Sequence, residues 1–572
     1  MAIPDDITQI IDQAEALREG ERFDDACALL EAAAAKAPQH TPLLMAWADA
    51  LQDLGRTGEA KDVYQVVLRL HPSHPEATQL NAELTAAEET LLKFAFAADL
   101  RNNFEAAREN YESALVGNPY SVFVLTRLLT IDGIEGRLAD ADSHHHQLID
   151  SLRRAKLSDV PWRYLAMVAY QSLFHALPRD LYQAVATALA NQLPGELSGW
   201  AGGGARLAPP AGRLRIGYLS GSLRDHPIGH VTAGLFAAHD RTRFEVYAFY
   251  MPDGGPNPYT DQIRRGVDRF IELSGTATEM ADTIATAGLD ILVCLDGYMA
   301  TTLLPVVAAR PAPIQLHWLG HAGNCELPAI DYLIADSVVL PPEEEHLYGA
   351  KVRRLEGCYH CASPHPIGPP MSRAEAGLPE DGFVFCAFNN PEKIDTVVFA
   401  SWMRILARVP GSVLWLSRTQ SAAIADHLRA AAQAHGIGGE RLIFATRLAD
   451  KAQHLARHRH AGLFLDTLTL NASTTALDAL ITGLPVLTVT GAHFGARIAT
   501  SFLYTLGLPE LCCATLDVYE NEAVRLASDP QDLGRLGGRL MERVASSPLF
   551  QINTFCRRWE TALTQIAAAH PR

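Results

Sequence analysis

A chain of 572 residues, 48% hydrophobic and 20% charged, has an ordinary globular composition and room for three or four domains. Its formal net charge of −17 argues against nucleic acid as a partner, because neutralising phosphates needs a Lys/Arg surface. No run of about 18 uncharged apolar residues reads as a membrane span. The start, Met1 to Gln9, carries Asp5 and Asp6 instead of a basic region and an apolar stretch, so it is not read as a signal peptide. Nine scattered cysteines point to reduced thiols and a cytoplasmic location.

The first segment, 1–155, is a repeat array. Ala26, Ala60, Ala107 and Ala141 stand 34, 47 and 34 residues apart, the 47 being one period plus an insertion of 13. Pro38, Pro72 and Pro119 follow the first three alanines at a constant interval, and Phe23, Thr57, Phe104 and Leu138 precede all four. Tyr64 and Tyr111 recur together, as do Ala33 and Ala114. The pattern predicts antiparallel helix pairs, with a small residue at each close approach and a proline that cannot continue the helix. The spacing resembles the tetratricopeptide repeat, whose units stack into a superhelix with a groove for a protein partner. His144, His145 and His146 fall on the last repeat. Consecutive helical residues point in different directions, so they read as a solvated face and not as a metal site.

Residues 156–211 are expected to be a helical linker ending in a loop, because Leu193 to Arg213 is dominated by Gly and Pro. Strands then alternate with helical patterns. Leu214–Ser220, Phe244–Tyr250, Ile291–Leu295 and Ile314–Trp318 belong to a first lobe, 212–370. Phe383–Phe388, Ser412–Leu416, Leu442–Ala445, Leu463–Asp466 and Val486–Val489 belong to a second, 371–545, with helices such as Val397–Arg408 and Ala422–His435 between them. The tail, 546–572, is expected to be helical. This alternation predicts two doubly wound parallel sheets with a ligand cleft at the carboxyl ends of their strands.

Chemistry-bearing residues gather at those strand ends. After Leu463–Asp466 comes Leu470-Asn-Ala-Ser-Thr-Thr475, and the helix is predicted from Ala476 to Thr482. A helix start offers free N–H groups and partial positive charge to a diphosphate, although Ser473 also reads as an ordinary N-cap. Lys393, in Phe388-Asn-Asn-Pro-Glu-Lys-Ile-Asp395, and Lys451, His454 and Arg457 after the third strand share that rim. In the first lobe, Asp225-His226-Pro227 follows the first strand, and a rim loop runs Trp318-Leu-Gly-His-Ala-Gly-Asn324. His226 titrates near neutrality and suits acid, base or hydrogen-bonding work. Cys358 and Cys361 form one CxxC around His360 with no second ligand pair, so they read as two small core residues.

Arg310-Pro-Ala-Pro-Ile-Gln315, Leu319-Gly320, Phe388-Asn389 with Lys393, Ser412–Leu416, Leu465-Asp-Thr467, Ser473–Thr475, Thr482-Gly-Leu-Pro-Val486 and Ser546-Ser-Pro-Leu-Phe550 occur together and in order. In these the chain resembles bacterial homologues of O-linked N-acetylglucosamine transferase, the SPINDLY-like, repeat-bearing group of glycosyltransferase family 41. The resemblance implies a GT-B fold (two Rossmann-like α/β lobes) behind an all-α superhelix of tetratricopeptide repeats. It implies inverting transfer from UDP-N-acetylglucosamine to Ser or Thr of proteins without a required metal or other cofactor. No Asp-x-Asp occurs within 212–545.

Carried over by position, Lys393 holds the diphosphate, Thr474 and Thr475 contact it, and Asp478 bonds the ribose. Lys451 lies near the ribose, and His454 and Arg457 flank the uracil. Leu319 and Gly320 touch the sugar by backbone, and His226 lies near sugar and acceptor. Asn390 stands in place of a glutamine. Ser222 replaces the pattern's Asp four residues before His-Pro, Ser473 replaces a histidine, and His-Ala-Gly-Asn follows Leu319-Gly320 in place of Tyr-Pro-Gly. Thr490-Gly-Ala-His-Phe-Gly495 departs likewise. These departures sit on the sugar and acceptor side. They leave open Asn as acceptor with UDP-glucose, GDP-fucose as donor, a nucleotide-sensing scaffold of weak activity, and assembly as a homodimer.

Overall fold

The structure, a computed structural model, describes residues 5–570 except 198–199, 201–211, 253, 256, 324, 364, 418–420, 422 and 449. Most of the Gly/Pro-rich loop, Asn324 of the rim loop, Ala422 and the first four residues fall outside it. Residues 1–132 with 143–154 make one unit, and 133–142 with 155–572 another.

In the first unit helices alternate as the alanines require: α1 (Asp5–Glu19), α2 (Phe23–Ala34), α3 (Thr41–Asp53), α4 (Thr57–Leu70), α5 (Pro75–Asp99) and α6 (Phe104–Gly117), followed by α7 (Val122–Glu135) and α8 (Leu138–Arg154). Ala26, Ala60 and Ala107 are fully buried on the second helix of their pairs. The insertion lengthens one helix instead of adding a loop, since α5 has 25 residues against 13 in α3. The recurring tyrosines are buried, and each reaches a carboxylate on the preceding helix. Tyr64 donates to Asp49 (2.8 Å) and Tyr111 to Asp99 (3.3 Å), so the repeat encodes a polar contact as well as a packing one. Gly58 meets Gly117 so closely that a Cβ would stand 1.7 Å from the Gly117 carbonyl oxygen, which admits no side chain. The expected solvated histidine face is corrected at His144. Its ring is buried, with Nδ1 2.6 Å from Asp132, which also receives Arg108. The buried carboxylate on α7 needs donors, and the helical turn aims one histidine at it while His146 stays exposed.

The second unit holds two parallel sheets. The first takes the order β3-β2-β1-β4-β5-β6-β7, from β1 (Leu214–Ser220), β2 (Phe244–Tyr250), β3 (Arg269–Glu272), β4 (Ile291–Cys294), β5 (Ile314–His317), β6 (Tyr332–Ala335) and β7 (Lys351–Arg354). The second runs β10-β9-β8-β11-β12-β13, from β8 (Val384–Ala387), β9 (Val413–Ser417), β10 (Leu442–Ala445), β11 (Leu463–Leu465), β12 (Val486–Val489) and β13 (Cys512–Cys513). Every predicted strand is present. The four not predicted are the short β6 and three at sheet edges; β3 and β7 carry charged residues because edges are half solvated.

Strand order reverses between β1 and β4, and again between β8 and β11. At such a switch point neighbouring loops leave in opposite directions and open a crevice at the carboxyl ends. The helix Ile552–Ala569 crosses back onto the first sheet. There Trp559 stacks on Trp318 at 4.6 Å and donates its indole N–H to Tyr218, while Glu560 accepts from the Asp240 N–H. That anchor fixes Trp318 and hence the rim loop that follows it.

Candidate active site

The crevice contains a cavity of about 280 Å³. Eight of the twelve residues singled out in the sequence line it: His226, Leu319 and Gly320 from the first sheet's loops, and Asn390, Lys393, Ser473, Thr474 and Thr475 from the second's. The other four, Lys451, His454, Arg457 and Asp478, form a separate charged knot on the second lobe.

The second-lobe side is built on a helix start. The helix runs Thr474–Ile481, two residues earlier than predicted, and Ser473 at its N-cap makes no side-chain capping bond. Its first N–H groups are thereby not taken up by the cap side chain, beside the cavity. Asn389, following β8, organises this end. It donates to Thr467 (2.9 Å) and accepts from the Thr475 hydroxyl (2.7 Å). Lys393 donates to the Asn471 carbonyl at 2.8 Å. Burial pulls its ammonium down to about 8, partly offset by the charge of Asp466. Asp466 lies at the end of β11, where burial raises its carboxyl to about 6 against bonds from the Ala472 N–H (2.7 Å) and the Thr488 hydroxyl (2.7 Å). Asn390 is exposed and bonds Glu392 at 2.7 Å.

One turn further on the same helix is Asp478. Burial would raise its carboxyl, but the contacts with His454 and Lys451 hold it well below the usual range. Lys451 Nζ donates to it at 2.5 Å, and His454 Nε2 lies 3.4 Å away. Arg457 donates to His454 Nδ1 at 2.7 Å and to the Thr446 carbonyl at 2.7 Å. A guanidinium only donates, so Nδ1 accepts and Nε2 carries the proton that points at Asp478. Arg457 also lies over the Phe388 ring at 4.3 Å and lines a second cavity of about 340 Å³ with Thr446, Leu448 and Gln453.

The first-lobe side is mostly backbone. Leu319 adopts a left-handed φ of 87°, a costly conformation for a branched residue and one that clusters at functional sites. Gly320 then donates to the Leu295 carbonyl at 2.8 Å, and a Cβ there would stand 2.2 Å from that oxygen, so only glycine fits. His226 caps the helix Pro227–Ala238, its Nδ1 accepting from the Ile228 N–H at 3.3 Å. A neutral His226 therefore carries its proton on Nε2. Ser222 donates its N–H to Ser220. The carboxylate beneath this loop is Asp296, just past β4, which accepts from Ser220 Oγ (2.7 Å) and the Gly221 N–H (2.6 Å) and is raised by burial to about 6.

His360 joins the site without a sequence signal of its own. It lines the cavity and sits 3.0 Å from the Ser473 hydroxyl. The CxxC cysteines are buried free thiols, as expected, and the two residues between them, Tyr359 and His360, line the cavity. Tyr170 and Phe174, likewise without a sequence signal, reach the same cavity from around the helix Trp162–Gln171.

The model of glycosyl transferase family 41 matches residues 204–365 and 368–559, and that of the tetratricopeptide repeat matches 17–84. Over 367 residues the chain is 31% identical to the probable UDP-N-acetylglucosamine–peptide N-acetylglucosaminyltransferase SEC of Arabidopsis thaliana, covering 63% of this chain and 37% of that one. Over 469 residues it is 26% identical to the UDP-N-acetylglucosamine–peptide N-acetylglucosaminyltransferase of Caenorhabditis elegans, covering 62% and 41%. The chain thus spans well under half the length of these curated relatives. A solved structure of an O-GlcNAc transferase mutant from Thermobaculum terrenum superposes with a TM-score of 0.70 at 24% identity, covering 99% of this chain and 98% of that one. That likeness shows the fold: two parallel-sheet lobes of GT-B type with N-terminal helical repeats. Among the described residues no helix is long and apolar enough to cross a membrane.

Proposed function

The chain belongs to glycosyltransferase family 41, and from that premise we propose that it is an inverting, metal-independent transferase that moves N-acetylglucosamine from UDP to Ser or Thr hydroxyls of a protein. The observation that carries the reading is the pairing of Lys393 with the start of the helix Thr474–Ile481, whose N-cap side chain is turned elsewhere, in one cavity.

As the bond between the anomeric carbon and the diphosphate oxygen breaks, negative charge accumulates on the leaving UDP. The Lys393 ammonium and the helix N–H groups supply the counter-charge that a metal supplies elsewhere. Thr474 and Thr475 lie against the same phosphates, Thr475 through its backbone N–H because its hydroxyl donates to Asn389. Asp478, held by Lys451 and His454, orients the ribose, and the cavity bounded by Arg457 and Thr446 takes the base. His226, with its proton on Nε2, donates to the donor's oxygens. Leu319 and Gly320 meet the sugar through backbone, and Asn390 stands at the cavity rim. An acceptor hydroxyl in line behind the anomeric carbon forms the new C–O bond as the bond to UDP breaks, its proton is released to solvent or the departing diphosphate, and positioning supplies much of the rate. The repeats hold the protein acceptor, and the free thiols fit a reducing, cytoplasmic setting.

The test is a thermal-shift panel followed by transfer assays with mass spectrometry of the acceptor. Stabilisation by UDP and UDP-N-acetylglucosamine, with modified Ser or Thr and turnover unaffected by EDTA, supports the reading. Preference for UDP-glucose with modified Asn, or for GDP-fucose, replaces it with the corresponding transferase. Failure of the protein to bind any nucleotide sugar turns it into a scaffold.

A further inference from the structure

One departure from the family pattern meets a first-lobe histidine across the cavity. Ser473 stands where a histidine is usual, and its hydroxyl lies 3.0 Å from Nε2 of His360, which arrives from the first lobe. The rest of the ring fixes the direction of that bond. His360 Nδ1 lies 2.6 Å from the Cys361 carbonyl oxygen, which can only accept, so Nδ1 carries a hydrogen. Burial pulls the imidazole down to about 4, and it is neutral at physiological pH. Nε2 is therefore a bare lone pair, and the Ser473 hydroxyl donates to it. Tyr359 and Phe502 pack edge-on against the ring at 5.6 and 5.3 Å and hold it in place.

Ser473 Oγ, its proton committed to His360, turns only lone pairs toward the cavity. A phosphate oxygen is also an acceptor, so this hydroxyl does not suit the diphosphate for which its sequence position had recommended it. It suits an O–H or an amide N–H. The same geometry explains why Ser473 makes no helix cap: the helix start is left to the phosphates while the serine turns to the neighbouring group.

We propose that His360 and Ser473 read the donor sugar. Ser473 accepts a hydrogen bond from a hydroxyl or acylamido N–H of the pyranose, and His360 is the positioning residue that keeps the serine an acceptor. The inference rests on the nucleotide-sugar reading given above. It identifies the substrate as a sugar with a donor group on the edge facing the start of the helix Thr474–Ile481.

The test is calorimetry of the full chain with UDP and with UDP-N-acetylglucosamine, for the unmodified protein and for H360L, H360Q and S473A. One lost hydrogen bond in a buried site corresponds to about a tenfold effect. H360L and S473A are expected to weaken UDP-N-acetylglucosamine about tenfold and UDP not at all. H360Q keeps an acceptor oxygen near the Nε2 position and is expected to recover most of the loss. Equal weakening of both ligands, or no weakening of either in S473A, overturns the proposal and leaves the nucleotide-sugar reading standing. An unmodified protein that binds neither ligand overturns both. S473A removes one partly exposed hydroxyl, so it decides the matter even where H360L fails to fold.

Discussion

The two walls of the cleft follow opposite chemical plans. The second-lobe side is ionic: Lys393 lies beside the helix start in the cavity, and Lys451, Arg457 and Asp478 form a charged knot one turn further on, each held by a charged or backbone partner. The first-lobe wall is neutral and largely backbone, with a strained Leu319, a glycine that admits no side chain and a histidine whose Nδ1 is occupied. A nucleoside diphosphate is rigidly charged, so the wall that meets it needs fixed counter-charge, and few residue types supply that. A sugar and an acceptor hydroxyl are neutral. The wall that meets them reads shape and hydrogen-bond direction, which many sequences can arrange.

Breaking the ionic wall should have the larger consequences. Lys393→Ala removes the main counter-charge to the leaving group, and transfer and donor hydrolysis are expected to fall by about a hundredfold or more in steady-state assays. A loss of less than about threefold would mean that the two walls do not divide the labour in this way. Asp478→Asn comes next. It leaves Lys451 and His454 around a neutral amide, and calorimetry should show UDP binding about tenfold weaker or worse. Unchanged UDP affinity would remove the knot from the nucleoside site.

The smallest effect is a pH dependence, and it sharpens the comparison. Lys393 has a folded value of about 8, below its ordinary 10.5. Raising the pH from about 7 to about 9 therefore discharges it in the free enzyme while an unfolded chain keeps the proton. UDP affinity should fall severalfold across that range. The folding stability of the free protein should rise between about 8 and 10.5, because the unfolded state then binds more protons. His226→Ala, on the neutral wall, should leave this profile in place. A flat profile in the unmodified protein would mean that Lys393 stays charged and is not the group the phosphates feel.

Legibility in the sequence divided along the same line. Lys393 and the Ser473–Asp478 stretch stand at strand ends with little else to do, and all of them reach the second-lobe wall or its knot. His360 is not legible in the sequence because its neighbours, two cysteines at CxxC spacing, carry the more familiar signal; nothing local shows that the loop after β7 crosses to the other lobe. Asp296 was missed for the same reason, since it reaches the Ser220–Gly221 turn from a strand about 75 residues away. The burial of His144 is not legible locally, because its partner, Asp132, lies on another helix.

What the sequence determined by itself is whatever rests on local periodicity: the 34-residue spacing of small residues that packs helices in pairs, the alternation that builds two parallel sheets, and the punctuation that ends each strand at the cleft. These follow from backbone geometry and apolar burial, which act over a turn or a strand. The tertiary structure decided the direction of individual hydrogen bonds. In the sequence Ser473 reads as a phosphate ligand, a helix cap or a sugar-side departure, and in the fold it is a committed donor to His360. The reason is that a hydroxyl has one proton, and where it goes depends on which acceptor the distant chain brings within 3.0 Å.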